Sequence, residues 1–334
     1  MNDARRSPKS RVPNPKPGVC GICVVCGCLL FLSCFRLDSF LFDPKPVTEY
    51  LQMTSADSAE WHVRGIIPDS LVEPETLTVL NGNKVYGFFV RQPAEGDCPR
   101  TGAAGDCPQG PIQSMGTVPG GIPADRFTII YSHGNGQNIN RYWGRVELLW
   151  EAGCNVFIYD YEGYGKSEGS PSGDACYADA EATLAYVLAR PDVVDSSVVY
   201  YGWSLGSFMA CHLAADVREP RCLILENPMA STSALAKEGA VLGIPGSFLA
   251  DADFDNEVRM QLLAPDLRTL IIYGTKDETA VPERNALVLL DKAYRRTLAR
   301  PWPIENAGHS DLPEVMGYGE YERVVSAFIA GDTL

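Results

Sequence analysis

The chain predicts an α/β domain with a mostly parallel eight-stranded sheet flanked by helices, and three observations carry that reading. Short apolar runs of strand length alternate with longer stretches of helical spacing, as parallel crossovers require. The 334 residues are 46% hydrophobic, enough for one large core. A G-x-S-x-G pentapeptide, Gly202-Trp203-Ser204-Leu205-Gly206, ends one apolar run and opens another. In order along the chain, 76–80 and 84–91 read as a β-hairpin of opening antiparallel strands around Asn81-Gly82-Asn83. Strands follow near 127–132, 155–160, 197–203, 221–227, 268–273 and 301–305. Helical patterns lie near 138–152, 174–190, 204–216, 282–294 and 318–330. The first strand is expected to run antiparallel and the later ones parallel.

Ser204 is the candidate nucleophile. A strand, a sharp turn and a helix are the context in which G-x-S-x-G lifts a serine hydroxyl above a sheet. The turn strains the serine backbone and leaves no room for side chains two residues before and after it, a demand that Gly202 and Gly206 meet. The bland alternative is a serine in an ordinary turn. Two downstream segments argue against it. Leu270-Ile271-Ile272-Tyr273 runs into Gly274-Thr275-Lys276-Asp277, placing Asp277 as an acid at a strand's carboxyl end. Trp302-Pro303-Ile304 runs into a loop holding His309, the candidate base. The order Ser204, Asp277, His309 differs from that of chymotrypsin-like and subtilisin-like proteases.

These residue types belong together chemically. A serine hydroxyl is a weak nucleophile near neutrality, so an imidazole must take its proton and return it to the leaving group. The carboxylate fixes the imidazole tautomer and stabilises the imidazolium. Negative charge on the substrate oxygen needs pre-aimed donors, each contributing about 10²–10³ in turnover. Leu205 N–H, just after the nucleophile, is one candidate. The loop His133-Gly134-Asn135-Gly136 offers the second at Asn135 N–H, with Gly136 the alternative if the loop is offset by one. His133 reads as a structural residue orienting that loop, and Asp160 as a loop anchor whose rival role is to replace Asp277. No cofactor is called for, since water and three side chains supply both half-reactions.

The set of His133 to Gly136, Tyr159-Asp160-Tyr161-Glu162-Gly163-Tyr164-Gly165-Lys166-Ser167-Glu168-Gly169, Gly202 to Gly206, Gly274 to Asp277 and Ala307-Gly308-His309 resembles the BEM46-like branch of the α/β-hydrolase superfamily. That branch includes membrane-bound hydrolases with palmitoyl-protein thioesterase activity. The likeness covers about residues 75 to 330. It implies an α/β-hydrolase fold with a small cap or none, with Ser204 as nucleophile, Asp277 as acid, His309 as base, and Asn135 and Leu205 as oxyanion donors. Trp203 departs from the smaller or more polar residue expected there, and is either a wall of the pocket or part of the core. The fold alone does not name a substrate, because it hosts many chemistries.

Domain organisation follows from composition. Residues 75–334 read as the catalytic domain, 35–74 as a linker and extension, and 93–125 as a Gly/Pro-rich insertion. Within it Gly-Asp-Cys-Pro occurs twice, so Cys98 and Cys107 are the suggestive disulfide pair. The segment from Glu226 to Asp266 is either a short lid over an acyl-chain groove or a packed connection. Arg5, Arg6, Lys9, Arg11 and Lys16 precede an uncharged stretch from Pro17 to Phe35, the layout of an export signal or anchor over 1–34. Phe31-Leu32-Ser33-Cys34 resembles a bacterial lipobox with Cys34 as the lipidated residue; the rivals are an uncleaved anchor and palmitoylation of the clustered cysteines. Each puts the enzyme on a membrane, with an extracytoplasmic catalytic domain under the lipoprotein reading. Cys20, Cys23 and Cys26 have metal-like spacing, but no histidine stands nearby and no metal is expected. Cys154, Cys176, Cys211 and Cys222 fall in or beside regular elements and read as buried thiols.

Removing residues 1–33, with five cations and Asp3, takes the net charge from −14 to −18. An acidic body disfavours nucleic acid and electrostatic docking to anionic lipid. The sequence therefore points to a membrane-anchored serine hydrolase acting on a small-molecule or lipid acyl ester or thioester. The alternatives are an aminopeptidase or amidase, and a non-catalytic binding protein that retains the fold. Protein partners are not legible.

Overall fold

Strands β1 (Val72–Thr78), β2 (Lys84–Val90), β3 (Thr128–Ser132), β4 (Asn155–Tyr159), β5 (Val198–Trp203), β6 (Leu223–Glu226), β7 (Thr269–Gly274) and β8 (Ala299–Ile304) form one sheet in the computed structural model. Their order is β1-β2-β4-β3-β5-β6-β7-β8. The helices are α1 (Ile139–Glu151), α2 (Gly173–Ala189), α3 (Gly206–His212), α4 (Asn256–Leu262), α5 (Ala286–Lys292), α6 (Leu312–Met316) and α7 (Tyr318–Ala330). The structure describes residues 42–51, 63–93, 127–232, 254–293, 298–332 and 334. The expected anchor with Cys34, the insertion with Cys98 and Cys107, and the middle of the expected lid lie outside them. Among the described residues no helix is long and apolar enough to cross a membrane.

Strand alternation divides the core in two. Ile130, Phe157, Tyr159, Tyr200 and Leu225 point to the face covered by α2, α3, α4 and α5. Their neighbours Ile129, Tyr131, Ile158, Tyr201 and Ile224 point to the face covered by α1, α6 and α7. The two-residue period of a strand thus gives each central strand two buried faces, which explains its nearly unbroken apolar sequence. Cys154, Cys176, Cys211 and Cys222 are buried free thiols.

Three details differ from the sequence expectation. The reversed strand is β2, antiparallel to both β1 and β4, so β1 runs in the direction of the others. Strand β1 also begins earlier than expected and ends before Leu80, which is 94% exposed in the turn. Its first half hides from apolar pattern matching because Glu73 and Glu75 reach Arg190 at 2.9 and 3.5 Å. Charge and a proline at position 74 suit an edge strand, where one side lacks a partner. The helix expected over 204–216 is α3 followed by a π turn over Leu213–Val217.

The hairpin turn is tied to the loop after β4. Asn81 and Asn83 side chains donate to the Glu162 carboxylate at 2.6 and 2.8 Å. Glu162 N–H in turn donates to Asp179 Oδ2 at 2.7 Å, while Asp179 Oδ1 has no hydrogen-bond partner among the described residues. Burial, opposed by that N–H, raises the Asp179 carboxyl well above its ordinary range. A raised folded value means that folding takes up a proton, so stability is fully present below the unfolded carboxyl range and falls as pH climbs above it. We expect Asp179→Asn to keep the bond from Glu162 and remove this pH slope. Its thermal midpoint should exceed that of the wild type at pH 8 and match it near pH 4; an equal gap at both pH values would contradict a buried neutral acid.

Candidate active site

Ser204 stands between β5 and α3 with φ at +53°, in the left-handed region that costs a residue with a side chain about 1–3 kcal/mol. Ser204 N–H donates to the Glu226 carbonyl on β6 at 2.9 Å, and the Ser204 and Leu205 carbonyls accept from Ser207 and Phe208 at 3.0 and 3.1 Å. The flanking glycines are steric necessities. A Cβ at Gly202 would sit 2.6 Å from the Gly206 carbonyl oxygen, and one at Gly206 would overlap the Ser132 carbonyl of β3. Strand and helix approach that closely only because both side chains are missing.

The other two candidates meet Ser204 from the far side of the sheet's carboxyl edge. His309 Nδ1 lies 2.7 Å from Asp277 Oδ2, and its Nε2 lies 2.9 Å from Ser204 Oγ. A carboxylate only accepts, so Nδ1 carries the ring proton, leaving Nε2 to accept from the serine hydroxyl. Asp277 Oδ1 is held by Thr279 and Ala280 N–H, both at 2.8 Å, which fixes the carboxylate plane. Ser204 and Asp277 are buried, while the His309 side chain keeps 19% of its surface exposed. The relay therefore ends at an opening and not in the core.

On the opposite side, a side chain at Gly134 would lie 3.5 Å from Ser204 Cβ, so the His133 loop borders the serine. Gly136 N–H donates to Asn135 Oδ1 at 2.9 Å. That commitment removes the alternative donor at Gly136. The Asn135 and Gly136 carbonyls both accept from Tyr142 Oη, at 2.7 and 2.8 Å, which turns them toward α1. His133 is fully buried, donating from Nδ1 to the Gly134 carbonyl at 2.8 Å with Nε2 3.2 Å from Asp160 Oδ1. It packs between the Tyr142 and Tyr161 rings, with centroids at 4.6 and 4.4 Å. Asp160 also accepts from Ile139 N–H at 3.0 Å and Tyr50 Oη at 2.7 Å. His133 and Asp160 are thus buried neighbours apart from the serine, and Asp277 is the carboxylate that faces His309.

Behind the base, Trp203 belongs to the core face shared with α1 and α7 and is 7% exposed. Its indole N–H donates to the His309 carbonyl at 3.3 Å, and the Arg145 guanidinium lies over its ring at 5.2 Å. Arg145 pairs with the fully buried Glu226 at 2.7 Å, and Glu226 also accepts from Tyr201 and Tyr321. Burial raises the Glu226 carboxyl despite the facing guanidinium. Removing one member of such a pair typically costs about 3–5 kcal/mol, because the other charge is left buried. A cavity of about 50 Å³, lined by Arg64, Arg141, Arg145, Trp203, Ser310 and Tyr318 among others, touches neighbours of Ser204 and His309 but neither residue itself.

Comparison with known proteins agrees with this architecture. A family model described as serine aminopeptidase, S33, matches residues 123–267. The human alpha/beta hydrolase domain-containing protein 17B is 32% identical over 215 residues, 62% of this chain and 68% of that protein. The chain belongs to the α/β-hydrolase family. Its relatives place it in the BEM46-like branch, including the Xenopus tropicalis alpha/beta hydrolase domain-containing protein 17C, 31% identical over 62% of this chain and 63% of that protein. The esterase Pf2001 of Pyrococcus furiosus shares the fold, with a TM-score of 0.60 and 16% identity over 86% of this chain and 97% of that one.

One residue that holds this hydrolase's site together escapes sequence reasoning. Asn227, just past β6 with φ at +40°, donates from its side-chain amide to the carbonyls of Gly308 and His309 at 3.1 and 2.8 Å. Its Oδ1 accepts from Gly274 N–H at 2.9 Å, and its own N–H donates to the Ile272 carbonyl at 2.8 Å. It therefore clamps the base loop to the strand that delivers the acid. The available signal is Asn-Pro at the carboxyl end of an apolar run, which marks a turn but not a brace. Asn227→Gly tolerates the backbone conformation and removes the side-chain bonds. We expect kcat on p-nitrophenyl butyrate to fall about 10–100-fold, since misplacing a reacting group by ~1 Å costs of that order. KM should change less than about twofold; a matching rise in KM with kcat unchanged would contradict a positioning role.

Proposed function

We propose that this α/β-hydrolase is a membrane-anchored serine hydrolase that cleaves acyl esters or thioesters through an acyl-enzyme on Ser204. The observation that carries the proposal is the continuous relay from Asp277 through His309 to Ser204, at 2.7 and 2.9 Å. Ser204 Oγ attacks the acyl carbonyl carbon while His309 Nε2 takes its proton, and Asp277 stabilises the imidazolium. The oxygen of the tetrahedral intermediate is received by Leu205 N–H, on the first turn of α3 where an amide has no intrahelical acceptor, and by Asn135 N–H. Collapse breaks the bond to the leaving alkoxide or thiolate, which departs with the proton from His309. Water then attacks the acyl-enzyme with His309 again as base, releasing the acid and restoring the serine. No cofactor enters either half-reaction.

The acyl-ester reading follows from the resemblance to the BEM46-like branch, while the Pyrococcus furiosus esterase, at 16% identity, contributes the fold alone. The match to a family described as serine aminopeptidase supports a second reading, cleavage of an amide by the same relay. A fluorophosphonate probe should label the wild type and not Ser204→Ala, and labelling that survives this change would remove the nucleophile assignment. Comparing p-nitrophenyl esters of graded chain length with aminoacyl anilides then separates the readings: higher kcat/KM on the esters is expected, and higher kcat/KM on the anilides would favour the peptidase.

Membrane attachment rests on the cationic and apolar layout of residues 1–34 and the lipobox-like Phe31-Leu32-Ser33-Cys34. Under the lipoprotein reading we propose, a lipid on Cys34 holds the catalytic domain outside the cytoplasm. In a bacterial host Cys34→Ala should move the hydrolase from the carbonate-washed membrane fraction to the soluble fraction. Full retention on the membrane would replace the lipid with an uncleaved anchor.

A further inference from the structure

Residues 42–51 precede the sheet, yet they lie across the His133 loop, which borders the serine, and the Asp160 loop that supports it. Asp43 N–H donates to Asn135 Oδ1 at 2.9 Å, and its carbonyl accepts from Gln137 N–H at 3.0 Å. Lys45 N–H returns a bond to the Gln137 carbonyl at 3.1 Å, and Asn138 Nδ2 donates to the Lys45 carbonyl at 2.8 Å. The second half grips the Asp160 loop: Val47 N–H donates to the Gly165 carbonyl at 2.8 Å, and Tyr50 Oη donates to Asp160 Oδ2 at 2.7 Å while accepting from Lys166 N–H at 3.2 Å. Leu51 N–H closes the series on Asn140 Oδ1 at 3.1 Å.

The loops are shaped to receive this segment. Gly136 has φ at +88°, and a Cβ there would lie 3.5 Å from the Asp43 carboxylate. Gly165 has φ at +50°, and its Cβ would overlap Asp160 and approach Tyr50 Oη to 2.7 Å. At Gly136 the left-handed backbone favours glycine and a Cβ would make only ordinary contact with the segment, whereas at Gly165 the obstacle to a side chain is the Tyr50–Asp160 bond itself. At the centre stands Asn135, whose Oδ1 accepts from Asp43 N–H, Gly136 N–H and Tyr164 Oη, the last at 2.8 Å. With the carbonyl of the same residue held by Tyr142, the Asn135 backbone is fixed by bonds from three different parts of the chain.

We infer that residues 42–51 are a positioning strap that sets the oxyanion donor, with Asp43 and Tyr50 as its two fastenings. The inference rests on the proposed acyl-enzyme reaction, because only a reaction that builds charge on the substrate oxygen rewards a fixed Asn135 amide. Asp43 touches no substrate; it acts through Asn135. Loosening the strap leaves Ser204, His309 and Asp277 in contact and lets the second donor drift, so the loss falls on transition-state binding and not on substrate affinity.

The test uses the full chain, p-nitrophenyl butyrate and a trifluoromethyl ketone whose adduct on serine mimics the tetrahedral oxygen. Asp43→Pro removes the strap's N–H, and Asn135→Ala removes the acceptor while keeping the backbone donor. Each should lower kcat about 10–100-fold, the range for misplacing a donor by ~1 Å and short of the ~10²–10³ for losing it outright. KM should stay within about twofold, and the affinity for the ketone should fall in parallel with kcat/KM. Combined, the two changes should cost no more than Asn135→Ala alone, because the Asp43 bond is one of the three that Asn135→Ala already deletes. Full kcat in a folded Asp43→Pro, or additive losses in the pair, would overturn the strap. If Asp43→Pro does not fold, Tyr50→Phe deletes a single hydroxyl and should lower kcat about 3–10-fold with ketone affinity following; unchanged kcat there overturns the proposal equally. Ser204→Ala, measured alongside, keeps the readings apart: surviving hydrolysis sinks the nucleophile, whereas a dead Ser204→Ala beside a fully active Asp43→Pro sinks the strap alone.

Discussion

The close approach of β3, β5 and the start of α3 is the constraint on which the site depends. Gly202 and Gly206 let these elements touch, and the price is a serine held at a positive φ. Such a conformation persists only where its surroundings over-determine it. Here the Glu226 carbonyl takes the Ser204 amide and the first turn of α3 takes its carbonyl. Strain at one residue is thereby balanced by two strands and a helix whose apolar faces are fully buried, and the hydroxyl is fixed with almost no freedom of its own.

From that fixed point the site is assembled in two halves that meet on α1. The base half is carried by the ends of β5 to β8 and by α1: Asn227 and Trp203 hold the His309 carbonyl, Thr279 and Ala280 hold the Asp277 carboxylate, and Arg145, paired with Glu226, lies over the Trp203 ring. The donor half hangs from β3 and β4, where His133 and Asp160 are buried together and Tyr142 and Asp43 hold the residues around Asn135. In both halves most bonds end on backbone carbonyls and amides. Side-chain identity at the brace is therefore spent on aiming main chain, which is the cheaper way to fix a loop because the main chain has few rotatable bonds to immobilise.

Much of this was legible from the chain and some was not, for physical reasons. The central strands are buried on both faces, so their apolar runs announce them, and the paired glycines around Ser204 announce a close contact. The contact of residues 204, 277 and 309 was foreseeable because each follows a strand and parallel strands deliver their carboxyl ends to one edge. The first half of β1 was hidden because an edge strand carries its charges openly, with Glu73 and Glu75 answered by Arg190. Helices α4 and α6, of seven and five residues, are too short to show a periodicity. Asn227 and Tyr50 were invisible as contributors because their partners are 82 and 110 residues away, and a single polar residue carries no sign of where its hydrogen bonds go. Trp203 could be read from its place beside the nucleophile as pocket wall or as core; its ring packs in the core face shared with α1 and α7 and also lines the small cavity there.

The two halves also differ in what holds them. Arg145 and Glu226 are both buried, so the support beneath His309 is a charged pair that cannot be half removed without stranding its partner in a dry interior. The donor half relies on neutral and charge-assisted hydrogen bonds, several of them from residues 42–51, with Asp43 at the exposed rim. Bonds at a rim exchange with water, and each contributes only about 0.5–1.5 kcal/mol net. Ser204 and Asp277 are consequently buried with His309 part-exposed at the opening, whereas the loop around Asn135, the proposed oxyanion side, is held by a segment that precedes the whole sheet in the chain.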